Sequence, residues 1–245
     1  MLLLGLLLSV LIGLSLGLLG GGGSILTLPI LIYVLALEEK AAIATSLLIV
    51  GVTSGFALIP HARGGNVVWR IGLLFAAASS LGAFLGGMAA DWVPAAWLIR
   101  AFVLMMVGTA VAMLRGRKEG AGEVESLPVA KVLAQGLGVG MVAGMVGAGG
   151  GFLVVPALTL LGGLPMRKAV GSSLLVITLQ SLSGFVGHMT HVQVDYVLAA
   201  ELCGGAVVGS GIGGALSKAM PQEQLRRAFG VFVLGMAAYM AFKQL

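Results

Sequence analysis

Charge is what this chain most conspicuously lacks. Only 9% of its 245 residues are Asp, Glu, Lys or Arg, whereas a soluble domain of that size needs about a quarter to cover its surface. Cysteine is also nearly absent. Cys203 stands alone inside an apolar run, which excludes a disulfide framework and a thiolate metal site. The sequence contains no Gly-x-Ser-x-Gly, no paired Asp and no His-Glu-x-x-His, so neither an enzyme nor a cofactor is expected. The formal net charge of +5 is not concentrated in a patch. Its Lys and Arg lie in short stretches between apolar segments, where they set membrane orientation instead of contacting nucleic acid.

Hydrophobicity and glycine take the place of charge. Apolar residues make up 59% of the chain, mean hydropathy is +1.10, and there are 40 glycines. Apolar stretches near or above the roughly 20 residues that cross a bilayer recur along its length. These features predict an all-α, polytopic integral membrane protein with the lipid bilayer as its main partner. The opening MLLLGLLLSVLIGL lacks the basic flank and small-residue cleavage site of a signal peptide. It reads as part of the first membrane segment.

The sequence is written twice. Residues 17–114 align without a gap onto 144–241 at an offset of 127, with 26 identities in 98 pairs; this composition would give roughly ten by chance. Ser46 pairs with Ser173, His61 with His188, Pro94 with Pro221 and Arg100 with Arg227. The expected organisation is a membrane repeat at 1–114, a cytoplasmic linker at 115–130 and a second repeat at 131–245. Each repeat reads as four helical pieces, near 2–37, 41–60, 67–90 and 95–114, then 131–163, 169–187, 194–217 and 224–242.

The first piece of each repeat is too long for one crossing. Residues 2–37 as a straight helix would measure about 54 Å against a hydrocarbon core of about 30 Å, and a glycine cluster followed by proline breaks it. It either crosses as a broken helix or dips in and returns. Charge placement separates the two. With full crossings, the 14 Lys and Arg divide seven and seven across the membrane; with re-entrant pieces, eleven fall on the linker side and three opposite. Short cytoplasmic loops collect Lys and Arg. The re-entrant reading therefore wins, and the odd number of crossings it leaves per repeat makes the two repeats inverted.

The glycine clusters carry the sharpest chemical signal. Irregular backbone at membrane depth survives only where protein buries it or a polar cavity wets it. A half-helix starting there presents free amides and a positive dipole end, which suits an anion. The candidate binding groups are Gly20, Gly22, Gly23 and Ser24 in the first repeat, and Gly147, Gly149, Gly150 and Gly151 in the second. The bland alternative is tight helix packing through small residues. Ser46, Ser173 and Gln180 on the following pieces add neutral hydrogen-bonding groups, although hydroxyls inside membrane helices commonly bond their own backbone. Thr45, Thr53 and Ser54 form a weaker set of the same type. His61 and His188 lack a third ligand for a metal and read as helix-end or interfacial groups. Arg100 and Arg227 read as snorkelling side chains. Glu201, several residues into an apolar run, is a candidate for proton coupling, with a structural ion pair as its alternative.

These residues resemble the sulfite exporter TauE/SafE family, also called the toluene-sulfonate uptake permease family. The resemblance rests on the duplicated glycine signature at Gly20–Pro29 and Gly147–Pro156, on Ala42–Leu47 and Ala169–Leu174, and on the short basic central stretch. It implies a multi-pass inner-membrane transporter of a small sulfur-containing anion such as sulfite, a sulfonate or an organosulfur acid, coupled to a proton or ion gradient. A homodimer is compatible with this reading. The alternative activity is an anion channel using the same glycine-lined site.

The charge count yields a direct test. With Cys203 replaced by serine, single cysteines at positions 39 and 192 should react with a membrane-impermeant maleimide from the outside. Cysteines at 118 and 167 should react only from the cytoplasm. Labelling of position 167 from the outside would overturn the inverted arrangement.

Overall fold

The computed structural model describes residues 2–115, 129–146, 150–189 and 192–244; most of the 115–130 linker lies outside them. Ten α-helices are present and no strand occurs among the described residues: α1 (Leu2–Leu19), α2 (Gly22–Pro29), α3 (Glu39–Arg63), α4 (Trp69–Ala89), α5 (Ala95–Arg115), α6 (Val129–Val146), α7 (Gly151–Pro156), α8 (Met166–His188), α9 (Tyr196–Ala219) and α10 (Gln222–Gln244). Seven segments, including α6, are long and apolar enough to cross a membrane. Side chains such as Leu7, Leu81, Leu104, Val208 and Phe242 stand exposed on the outside of the bundle, as a hydrocarbon solvent requires and water would penalise. Trp69, Trp92 and Trp97 are exposed at or just beyond helix ends, where amphipathic rings suit the headgroup level.

Proline shapes the stretch after each glycine break in the same way. Pro29 closes α2 and Pro156 closes α7, and a five-residue π-helical stretch follows each, Ile30–Val34 and Ala157–Leu161. A proline cannot donate to the preceding turn and crowds its carbonyl, and the widened turn accommodates it. Each stretch ends with an i→i−5 bond, Leu35 N–H to Ile30 O at 3.0 Å and Gly162 N–H to Ala157 O at 2.9 Å.

The first broken segment folds back on itself. A Cβ on Gly23 would lie 2.7 Å from Ile12 O, and Leu35 reaches to within 3.7 Å of the Cβ position of Gly5. Chain positions therefore rise on one arm as they fall on the other, so α1 and the α2 arm form an antiparallel hairpin.

Glycine sets how closely the long helices approach. Along α4 and α6, a Cβ on Gly140 would stand 2.5 Å from Ser79 Cα, and one on Gly144 2.6 Å from Ala83 Cα. Along α1 and α9, the corresponding distances are 2.8 Å from Gly13 to Ala206 Cα, 2.9 Å from Gly209 to Leu14 N and 2.8 Å from Gly213 to Leu18 N. Glycines four residues apart place bare backbone on one helix face, so carbonyls and Cα atoms of the two helices touch directly. In both seams the contacting positions advance together, so these helices are parallel. Helix α4 is also parallel to α8, with Gly72 beside Ser172 and Gly87 beside Gly184. Helices α3 and α8 are antiparallel, with Leu47 beside Gly184 and Gly55 beside Thr178. Helix α5 packs along α10, and α3 also touches α9.

The seams generate a stability prediction. Gly140→Val forces a branched side chain into backbone of α4 and should destabilise the protein by about 1–3 kcal/mol or more. Gly108→Ala in α5 meets open space and should gain up to about 1 kcal/mol from helix propensity alone. Thermal unfolding in detergent measures both. Equal melting temperatures would show that the α4–α6 seam does not depend on bare glycine backbone.

Candidate functional site

The two glycine breaks meet. Gly20 takes a left-handed backbone, φ +72°, and Gly21 caps α2. Gly150 is left-handed too, φ +62°, and caps α7. L-residues pay for that conformation and glycine does not. Gly21 lies against Gly151: a Cβ on Gly151 would be 2.7 Å from Gly21 Cα and 3.1 Å from Ser24 Oγ. The starts of α2 and α7 therefore abut at one point. Ile177, midway along α8, forms its apolar wall, with Cδ1 2.9 Å from that same Cβ position.

Several polar groups surround this point. Ser173 Oγ sits over Gly20, 3.5 Å from its carbonyl, and the Gln180 carboxamide lies directly over Gly150. Ser24, Ser46, Ser173 and Gln180 are at most 1% exposed, so water does not reach the site in this conformation. The hydroxyls bond locally. Ser24 donates to Gly21 O at 2.7 Å, Ser46 to Ile43 O at 2.8 Å and Ser173 to Val170 O at 2.8 Å. Each of these bonds runs three residues back along the chain, the self-satisfying pattern expected of serine in apolar helices. On α3, the buried hydroxyls of Thr45, Thr53 and Ser54 have no hydrogen-bond partner among the described residues, which leaves spare polar capacity in the core.

Electrostatically, the region is neutral in side chains and brings backbone amides together with carbonyls, Gly151 O facing Gly21. The fully buried polar residues among those described are Ser, Thr, Gln and two His, with no Lys, Arg, Asp or Glu. The helical arms Gly23–Val34 and Gly151–Leu160 both begin at the meeting point. The amides that open a helix lack the acceptor one turn back; in α7 the Leu153 N–H already donates to Gly150 O at 2.9 Å.

The structure thus gathers Gly20, Ser24, Gly150, Gly151, Ser173 and Gln180 around one locus. Gly22 opens α2 beside it, while Gly147 and Gly149 lie outside the described residues. Gly23 packs its Cα face against Leu16 and Ile12 of α1, which gives it a packing reason independent of any ligand. Ser46 is buried on α3 with its bond to Ile43. Glu201 is elsewhere, half-buried on α9 next to Gly204, whose surroundings are open; it makes no ion pair or hydrogen bond among the described residues.

The histidines lie in the last turns of α3 and α8, as helix-end groups, but are enclosed by protein. His61 is 1% and His188 5% exposed, and His188 Nε2 lies 2.9 Å from Gly144 O of α6. Small neighbours, Gly214 beside His61 and Gly87 beside His188, let each ring be enclosed near its helix end. The arginines do stay at the surface: Arg227 pairs with Glu223 one turn away at 2.6 Å, and Arg100 sits over Trp97.

Two features escaped the sequence. Gly21 makes the central contact, yet its counterpart in the repeat is Ala148, so the shared signature does not single it out. Lys40 and Asp91 form a 2.9 Å ion pair beside a water-sized cavity that His188 and Val192 also line. Those residues are far apart in the chain, and no spacing pattern marks them.

Comparison with known proteins adds to this geometry. The family model described as Sulfite exporter TauE/SafE matches residues 5–240. A "Probable membrane transporter protein" of Xylella fastidiosa is 36% identical over 240 residues, covering 95% of this chain and 92% of the relative. The "Probable membrane transporter protein YdhB" of Bacillus subtilis is 26% identical over 223 residues, covering 89% and 91%. No solved structure matches.

The packing of Gln180 over Gly150 is testable without a ligand. Gly150→Ala should destabilise through both the left-handed backbone and the carboxamide above it. Combining it with Gln180→Ala should restore the second part, giving a coupling of about 0.5–3 kcal/mol in a double-mutant cycle. Strict additivity would remove Gln180 from this position.

Proposed function

The chain belongs to the sulfite exporter TauE/SafE family of membrane transporters, and we propose on that premise that it is a secondary transporter carrying a small sulfur-containing anion across the inner membrane. The anion is sulfite, a sulfonate or an organosulfur acid. The observation that carries this reading is the abutment of two helix starts inside a core without ionised side chains. Two positive dipole ends facing each other in a low dielectric repel, and an anion between them turns that repulsion into attraction. The amides at Gly22, Gly150 and Gly151 bind it, Gln180 donates from the side, and Ser24 and Ser173 line the space.

The same reading takes the two halves as inverted repeats that rock against each other for alternating access. Three observations support it. The first segment is a returning hairpin. Helix α8 runs parallel to α4 and antiparallel to its repeat mate α3, as inversion requires. Lys40, Asp91 and His188 share one cavity, so the start of α3 and the end of α8 lie at the same face. Glu201 is the candidate for proton coupling, acting at a distance from the anion locus through the movement of α9.

Proteoliposomes loaded with unlabelled sulfite should accumulate labelled sulfite transiently, because counterflow requires a site exposed alternately to each side. Gln180→Leu, which keeps the volume and removes the donor, should weaken apparent affinity by about tenfold, the loss of a charge-assisted hydrogen bond of roughly 1.5 kcal/mol. Flux without counterflow or saturation would identify a channel.

A further inference from the structure

We propose that the Lys40–Asp91 ion pair is the latch over an access route that runs along α8 from the outer face to Gln180. The inference rests on the transporter reading above and concerns how a site sealed from water is reached. Lys40, in the first turn of α3, donates to the Asp91 carboxylate at 2.9 Å and to the Asp91 carbonyl at 3.1 Å, tying α3 to the turn after α4. Beneath the pair is the water-sized cavity, walled by Ile43, Gly87, Leu98 and His188. These four are buried, whereas the Lys40 and Asp91 side chains are 32% and 42% exposed. The pair is therefore the solvent-facing cover of an enclosed space.

From that cavity one face of α8 leads inward. His188, Gly184 and Gln180 follow one another at four-residue steps on it, a span of about 12 Å. Gln180 lies over Gly150, at the anion locus proposed above. Midway, a Cβ on Gly184 would meet Leu47 Cδ1 of α3 at 3.5 Å and Ala83 Cβ of α4 at 3.6 Å. The contact from α3 is thus one leucine side chain, which can change rotamer without moving either helix. A part-exposed ion pair holds weakly, as a part that opens and re-forms in every cycle requires. An arriving anion can also take the place of the Asp91 carboxylate at the Lys40 ammonium. The opposite face is not latched in this way. Arg167 and Lys218 stand at the repeat positions of Lys40 and Asp91; two cations cannot pair, and Arg167 donates to the Met220 carbonyl at 3.2 Å.

The test uses the full chain in right-side-out membrane vesicles, with Cys203 replaced by serine and a reporter introduced by Ile43→Cys. An impermeant maleimide added outside should label the reporter slowly. Asp91→Asn should speed that labelling about fivefold, the shift that loss of an exposed ion pair gives an opening equilibrium. Reversing the pair, with Lys40→Asp and Asp91→Lys together, should return labelling to the slow rate. An unchanged rate in Asp91→Asn, no recovery in the reversed pair, or labelling confined to the cytoplasmic side would overturn the latch. A lower melting temperature at an unchanged rate would assign the pair to holding α3 against α4 instead. A second arm combines Lys40→Cys with Asp91→Cys and bridges the two by a cleavable bifunctional thiol reagent. Bridging should abolish sulfite counterflow and cleavage should restore it; undiminished counterflow in the bridged protein would also overturn the latch. The labelling needs no substrate. Counterflow absent from the parent would bring down the sulfite reading, and the labelling rates would then decide the latch by themselves.

Discussion

Everything in this molecule follows from one constraint: backbone inside hydrocarbon must find its hydrogen-bond partners within the protein. Among the described residues, eight long helices meet that demand internally, while the two glycine breaks interrupt the regular pattern. Their described residues are buried against each other, with Gly21 on Gly151. Helix α8 lies against both tips, with Ser173 at Gly20 and Ile177 and Gln180 at the second. Burial of irregular backbone and the meeting of two helix starts are the same event, so the architecture that protects the breaks also brings their polar backbone together.

Glycine serves two separate ends here, and the seams must be distinguished from the tips. Gly140, Gly144, Gly209 and Gly213 are helical and exist to let backbones touch. Gly20 and Gly150 adopt left-handed angles that turn the chain. Gly23 belongs with the packing group, although its place in the signature suggests a ligand role. A bare count of glycine cannot separate these uses; the backbone angle and the identity of the neighbouring atom can.

Much of this was legible in the sequence. Low charge and long apolar runs gave the class, and the helices fall within a few residues of the expected pieces, including the break in the first segment of each half. Gly20, Ser24, Gly150, Gly151, Ser173 and Gln180 could be named from the glycine clusters and the polar positions of the following pieces, but their convergence could not be anticipated, since Ser24 and Gln180 have Gly151 and Thr53 as repeat mates. The enclosure of His61 and His188 could not, because it depends on Gly214 and Gly87 arriving from other helices. The local bonding of Ser24, Ser46 and Ser173 was a stated alternative that only geometry could weigh. Nor could pattern reveal Lys40 with Asp91, since an ion pair across 51 residues leaves no periodic trace.

The parallel seams bear on how the protein is made. Helix α1 packs along α9, and α4 along α6, so each half is completed by a helix of the other. Helix α1 ends at Leu19, whereas α9 ends at Ala219. At a synthesis rate of about 5–20 residues per second, the first hairpin waits roughly 10–40 s for its partner to leave the ribosome. Throughout that interval its glycine face, shaped for another backbone, is open to lipid or to the insertion machinery. The N-terminal half is thus an obligate client of the half translated after it, and maturation is gated by the arrival of α9.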